Sequence, residues 1–150
     1  MAVIIVERTG TSVNVEYFDS QDALYEAIKK KEVNVLSENT GRAMQLLGME
    51  PVGDADSIYS AVKKAYREQL GLVMLEPFGG PTGSAGDTLF MDVPIVGAGV
   101  LTNFPVLPRV LSKLAGITQI KNYPKLLASV ESGDKPTQVA KDFLKMKRLI

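Results

Sequence analysis

The sequence predicts a single α+β domain, and three observations lead to that class. Short β-branched and alternating segments come first, in residues 2–17, whereas amphipathic helix patterns dominate later in the chain. The 150 residues include no cysteine, and a chain of this length can form a hydrophobic core without disulfides. Hydrophobic residues at 45% and charged residues at 23% are ordinary for a globular domain. We therefore expect a small mixed sheet packed by several helices.

The opening residues predict a β-hairpin. Residues 2–7 form a continuous β-branched run, which is typical of a strand buried on both faces. Residues 9–11 include a glycine and can form the turn. Residues 13–17 then alternate apolar and polar side chains, the period of a half-buried partner strand. The hairpin residues expected in the core are Ile4, Val6 and Val15.

Three helices are predicted next. Asp19 or Ser20 can cap a first helix, residues 33–36 fit a short strand or a connector, and a second helix fits residues 40–47 before Gly48. The third helix has the clearest pattern, with one apolar face ending at Gly71. The residues of that face are Ile58, Ala61, Val62, Ala65 and Tyr66.

Asp54 and Asp56, at the start of the third helix, could either cap the helix or bind a divalent cation. A calcium-binding EF-hand loop that began at Asp54 would need glycine at position 59 and glutamate at position 65. The chain has Tyr59 and Ala65 there. Helix capping explains both aspartates, so no metal site is expected.

A glycine-rich loop, Phe78 to Asp87, follows a short predicted strand at residues 72–75. Glycine backbones can direct several N–H groups at an anion, so one alternative is a small anion- or nucleotide-binding domain that uses Gly79–Asp87. The P-loop spacing and its lysine are absent, however. Ser84 has no histidine to act as its base, and Asp87 with Asp92 lacks a third polar partner. We expect an assembly loop that contacts another protein chain.

The remaining segments predict one strand, one doubtful strand and three helices. Residues 89–93 alternate as a strand that ends at Pro94, and Pro108 suits the first turn of a helix that ends at Gly116. Residues 117–120 are a brief strand candidate. Further helices are expected after Pro124 and after Pro136.

Residues 126–141 resemble the first half of a helix-turn-helix, because a helix, a Gly133-Asp134 turn and an alanine-bearing helix follow one another. The resemblance implies a DNA-associated regulator that uses the C-terminal helix pair, which is a second alternative. Leu144 stands where that family has a small residue, and residues 142–150 supply no recognition helix. We favour a core domain of residues 1–134 with a helical docking arm, residues 135–150. The apolar stripe of this arm consists of Val139, Phe143, Met146 and Ile150.

Composition excludes several functions. The chain has no histidine and no cysteine, which removes imidazole and thiolate catalysis and the metal sites built on them. The 17 basic and 17 acidic side chains cancel, so nucleic acid is an unfavourable partner. Residues 93–111 are apolar but broken by glycine and proline, and we expect no membrane span.

These observations together predict a non-enzymatic assembly protein without cofactor. Its expected partners are copies of itself or neighbouring subunits of a particle, such as a viral or phage virion, and its expected location is the cytoplasm or the virion. The predicted interface residues are Phe78, Gly80, Thr82, Ser84, Val139, Phe143, Met146 and Ile150.

Overall fold

Eight helices and a three-stranded antiparallel sheet make up the part of the chain that the computed structural model describes, residues 1–79 and 89–150. The helices are α1 (Ala2–Thr9), α2 (Gln21–Lys29), α3 (Thr40–Leu47), α4 (Ala55–Leu70), α5 (Ala98–Asn103), α6 (Leu107–Leu111), α7 (Tyr123–Glu131) and α8 (Pro136–Met146). The strands are β1 (Val35–Asn39), β2 (Leu72–Met74) and β3 (Asp92–Gly97). The α+β class is confirmed, with an antiparallel sheet in place of the mixed sheet expected.

The sheet has the order β1-β3-β2, so β3 is the central strand. Pro94 lies inside β3, opposite Ser37 of β1, although the sequence predicted that this strand ends there. The carbonyl of Pro94 faces the β2 side, where it accepts a hydrogen bond from the N–H of Leu75 at 2.9 Å. The pairing of β2 with β3 extends only as far as Met74 and Ile95. On the β2 side, Pro94 therefore lies one residue beyond the paired part of β3, where a strand tolerates a residue without an N–H.

The predicted β-hairpin is wrong, because residues 2–9 form helix α1 and residues 11–18 form no regular secondary structure. Ile4 is buried as expected, but Val6 is 40% exposed and Val15 is 53% exposed. A short apolar run fits a buried helix as well as a buried strand, and periodicity alone cannot separate the two. Gly10, with φ 70°, ends α1 in the left-handed region.

Helices α2, α3 and α4 were predicted at these positions, and their capping residues explain why. Ser20, Asn39 and Asp54 each accept a hydrogen bond from a backbone N–H in the first turn of the helix that follows. Gly48 and Gly71 end α3 and α4 in the left-handed region. At Asp54 the hydrogen bond from the backbone N–H of Ser57 lowers the pKa of the carboxyl group. The capping interpretation of Asp54 is therefore confirmed.

The sheet separates two hydrophobic clusters. The first cluster consists of Tyr25, Ile28, Leu36, Ala43, Met44, Ile58, Val62, Tyr66, Leu72, Met74, Met91, Val93 and Ile95. The second cluster consists of Ile4, Ile5, Phe78, Val96, Leu107, Val110, Leu111, Leu114, Phe143 and Leu144. Adjacent residues of β3 point to opposite faces, so Ile95 contributes to the first cluster and Val96 to the second. Helices α2, α3 and α4 thus cover one face, and α1, α6 and α8 cover the other.

The C-terminal helix α8 packs within its own chain. Phe143 and Leu144 are 5% and 4% exposed and belong to the second cluster. The sequence predicted Phe143 at an interface with a neighbouring subunit, but its own chain covers it. The end of the chain is also tied to α1, since Arg8 Nε donates to the carbonyl of Leu149 at 2.6 Å. The division of the chain at residue 134 stays a prediction. Residues 117–119 form a 3-10 turn, not the brief strand considered.

Candidate functional site

A cleft of about 1050 Å³ lies where α1, residues 11–18 and the start of α8 face one end of the sheet. Its other walls come from residues 31–35 after α2, residues 70–72 at the start of β2, and the junction between β3 and α5. Small-molecule sites in proteins have volumes of about 300–1000 Å³. The cleft is therefore large enough for a small solute.

Hydrogen bonds from the Thr9 hydroxyl group and from the backbone hold the walls of the cleft in place. At the end of α1, Thr9 Oγ1 donates to the carbonyl of Ile5 at 2.7 Å and accepts from the N–H of Thr11 at 3.1 Å. These bonds direct the chain out of the helix and into residues 11–18. On the opposite wall, the N–H of Gly97 donates to the carbonyl of Asn34 at 3.0 Å. The cleft thus lies between a wall without regular structure and a wall attached to the sheet.

Aromatic side chains line the cleft. Tyr17 is 88% exposed and Phe104 is 37% exposed, and Phe18 lies beside Tyr17 on the same wall. Aromatic side chains exposed beside a cavity offer apolar surface to a ligand. An aromatic face can bind a cation through its electron-rich surface. The lining of the cleft thus includes three aromatic residues, Tyr17, Phe18 and Phe104.

Charged groups at the cleft are few. The charged residues of the lining are Glu16, Lys31 and Glu32. Asn14 Nδ2 donates to Glu16 Oε1 at 3.1 Å. Across residues 1–79 and 89–150, no group of three or more acidic or other metal-ligating side chains could hold a metal ion. In the same residues no helix is long and apolar enough to cross a membrane.

None of the predicted interface residues that the structure describes lines this cleft. Phe78 is buried in the second cluster, Met146 is 60% exposed, and Val139 and Ile150 are half-buried. The predicted residues Gly80, Thr82 and Ser84 lie outside the described residues, as do Asp87 and most of the glycine-rich loop. Gly79 is described, and a side chain there would collide with Thr118 Oγ1.

Sequence reasoning missed the aromatic residues of the cleft. Tyr17 was assigned to a half-buried strand because it continues an alternation of apolar and polar residues. The adjacent pair Tyr17-Phe18 breaks that alternation and could have been a signal of a different role. Phe104 had no comparable signal, since it reaches the cleft only through the turn after α5.

Comparison with solved structures gives the class of fold. The chain is similar to apo YehZ from Escherichia coli, with a TM-score of 0.82 and 16% sequence identity over 99% of this chain and 94% of that chain. It is also similar to a glycine betaine/carnitine/choline ABC transporter structure, with a TM-score of 0.81 and 12% identity over 99% and 92% of the two chains. At these identities the similarity shows the fold alone.

Comparison of sequences gives the family. Residues 1–85 match the family described as the substrate binding domain of ABC-type glycine betaine transport system. Because the match spans more than half of the 150 residues, the chain belongs to this family. No curated protein matches the sequence.

Family membership corrects the predicted function. The expectation of a virion or assembly protein, with copies of itself or particle subunits as partners, is wrong, because the family consists of substrate-binding domains of a transport system. The prediction failed because zero net charge, a glycine-rich loop and an apolar helix are compatible with self-association without requiring it. The features that a solute-binding site needs, namely a cleft and exposed aromatic rings, depend on tertiary structure.

Proposed function

We propose that this chain is a solute-binding domain that presents a small quaternary ammonium solute to the membrane components of an ABC transporter. Membership of the substrate-binding family supports this function, as does the similarity to a glycine betaine/carnitine/choline transporter structure. The observation that carries the proposal is the position of Tyr17, an aromatic side chain that is 88% exposed at the wall of a large cleft.

The chemistry of a quaternary ammonium group explains why aromatic rings matter. A trimethylammonium group has no N–H and cannot donate conventional hydrogen bonds, and its charge is surrounded by methyl groups. The face of an aromatic ring suits such a group, because it attracts the cation and packs against the methyl groups. Tyr17, Phe18 and Phe104 supply three such rings, in a chain that contains no tryptophan.

We infer that the domain acts by binding and release, without catalysis. Recognition of a quaternary ammonium solute needs no activated nucleophile and no proton transfer. The chain has no histidine and no cysteine to supply the commonest groups for those steps. The family is likewise one of substrate-binding domains.

Calorimetric titration with glycine betaine, carnitine, choline and unmethylated glycine tests this function. We expect binding of the methylated solutes and no detectable binding of glycine, because glycine lacks the apolar cation. Tyr17→Leu, which keeps an apolar side chain but removes the ring, should raise the Kd about 3- to 30-fold. Tyr17→Phe keeps the aromatic face and should change the Kd little.

Tyr123→Leu is the matched control, because Tyr123 lies on α7 and does not line the cleft. It should leave the Kd unchanged. Equal affinity for glycine and glycine betaine, or an unchanged Kd in Tyr17→Leu, would contradict the proposed site.

A further inference from the structure

Charge is divided unequally along the chain, although the 17 basic and 17 acidic side chains cancel overall. Residues 107–150 contain nine basic and three acidic side chains, a net charge of +6. Residues 1–106 contain the other eight basic and 14 acidic side chains, a net charge of −6. The zero net charge therefore conceals a strongly basic C-terminal part. Its basic residues are Arg109, Lys113, Lys121, Lys125, Lys135, Lys141, Lys145, Lys147 and Arg148.

The fold gathers this positive charge on one side of the sheet. The nine basic residues lie on α6, α7 and α8 or in the turns that join and follow these helices. Helices α6 and α8 belong to the second cluster, and α7 packs against α8. All nine side chains except Lys141, which is half-buried, are exposed, and together they form what we call the basic surface. Lys141 is paired with Glu7, and the other eight form no ion pair with any residue that the structure describes.

Apolar side chains are exposed among these basic residues. Met146 is 60% exposed and lies between Lys145 and Lys147 at the end of α8. Leu127 is 49% exposed on α7, two residues after Lys125. Basic side chains attract anionic lipid headgroups, and an apolar side chain beside them can enter the boundary below the headgroups. A nucleic acid backbone would match the charge but would offer these apolar side chains no apolar layer, so the combination favours a lipid surface.

We propose that the basic surface binds the anionic headgroups of a lipid bilayer and holds the domain beside the membrane. The inference rests on the proposed function only in that the membrane components of a transporter lie in a bilayer. Each basic side chain near an anionic bilayer raises the partition coefficient about fivefold, so several of them together give measurable binding. None of the nine basic residues lines the cleft, so the charges that would face the bilayer lie outside the solute site.

Sedimentation of the full chain with lipid vesicles tests the inference. Vesicles of equal parts phosphatidylglycerol and phosphatidylcholine should bind the protein at about 0.05 M salt, and about 1 M salt should release it by screening the charges. Vesicles of phosphatidylcholine alone should not bind it. The double variant Lys145→Gln with Lys147→Gln should lower the partition coefficient about 10- to 30-fold. Met146→Ala should lower it about threefold, because less apolar surface enters the headgroup boundary.

The double variant Lys30→Gln with Lys64→Gln is the matched control. It removes two exposed lysines from the opposite side of the sheet, at the end of α2 and on α4, and lowers the net charge by the same amount. It should leave vesicle binding nearly unchanged, and all variants should keep the wild-type Tm to within about 2 °C, because the altered side chains are exposed.

Equal losses of binding in the two double variants, or equal binding to the two kinds of vesicle, would overturn the inference. Binding to duplex DNA or to polyglutamate without binding to the anionic vesicles would also overturn it and would identify a nucleic acid or an acidic protein as the partner. Solute titrations need no vesicles, so the proposed function can stand when this inference fails, and the reverse also holds.

Discussion

The two sides of the sheet differ in how far apart their residues lie in the sequence. The first cluster draws on α2, α3 and α4 and on the strands, all within residues 25–95. The second cluster joins α1 to α8, so that Ile4 and Ile5 pack with Phe143 and Leu144 from the opposite end of the chain. Helices on both sides follow from local patterns, α8 included. The packing of α1 against α8 does not, because it joins opposite ends of the sequence.

The two sides also differ in buried polarity. Among the described residues, the buried polar side chains are Glu38 and Thr40, and both lie near the first cluster. Glu38 Oε1 accepts hydrogen bonds from the N–H of Asn39 at 2.8 Å and from Arg42 Nε at 3.1 Å. Glu38 Oε2 and the hydroxyl group of Tyr66 are buried without a hydrogen-bond partner. The stability of the side with the first cluster therefore depends on hydrogen bonds to buried polar groups as well as on apolar packing. The stability of the other side depends on apolar packing.

Phe143→Ala should have the largest effect on stability, because it removes a ring from the second cluster and leaves a cavity between the chain ends. We expect a loss of about 3–5 kcal/mol in the free energy of unfolding, measured by urea denaturation. Residues 135–150 would then be part of the folded core.

Met146→Ala is the control for this prediction, since Met146 is on the same helix but 60% exposed. Its effect should stay within about 0.5 kcal/mol. If Phe143→Ala instead keeps full stability while changing the oligomeric mass, residues 135–150 act as a docking arm. The second cluster would then not depend on packing between the two ends of the chain.

Tyr66→Phe tests the side of the sheet that holds the first cluster, and its effect on stability should be intermediate in size. At pH 7 the change should stay within about 1 kcal/mol, because an unpartnered hydroxyl group contributes little net stability. Burial, with the nearby charge of Glu38, raises the pKa of Tyr66 above its ordinary value of 10.0. Tyr66 therefore ionises first in the unfolded chain. Its contribution to the free energy of unfolding is fully present below pH 10 and is lost as the pH rises further.

The urea midpoint measured at about pH 7 and about pH 11 checks this sign, since the pH range brackets the ordinary tyrosine pKa. Tyr66→Phe should lose less stability than the wild type over that interval. Parallel losses in the two proteins would show that Tyr66 ionises as freely in the folded state as in the unfolded chain.

Lys141→Gln should have the smallest effect, at the surface of the second side. Lys141 Nζ lies 2.7 Å from Glu7 Oε1, and this hydrogen bond lowers the pKa of Glu7 below its ordinary 4.5. The contribution of the pair is thus present above pH 4.5 and is lost as the pH falls through the lowered pKa. We expect the Tm at pH 7 to fall by about 1 °C or less, because exposed ion pairs are weak.

Lys147→Gln is the control, because it removes an exposed lysine that forms no ion pair within the described residues, and it should leave the Tm unchanged. The difference between wild type and Lys141→Gln should also shrink in about 1 M salt. A difference that salt does not reduce would indicate that Lys141 acts through packing of its side-chain stem.

Predictions from the sequence succeeded where a single segment contained both a helix-capping residue and an apolar face. Helix α4 is the clearest case, with Asp54 at its start, Gly71 at its end, and Ile58, Val62 and Tyr66 buried along one face. Residues 2–9 had no capping side chain before them, and their apolar run fitted a strand equally well. The cleft could not be predicted because its walls come from separate stretches between residues 1 and 140.

The amino-acid sequence by itself determined the α+β class, the positions of α2, α3, α4, α6, α7 and α8, and the lack of histidine and cysteine chemistry. Those properties depend on composition and on contacts within a few turns of chain, which local patterns express. Only the tertiary structure decided that α1 is a helix covered by α8, and that Tyr17, Lys31 and Phe104 line one cleft. Such proximity depends on how distant segments pack, and no single segment of the sequence specifies it.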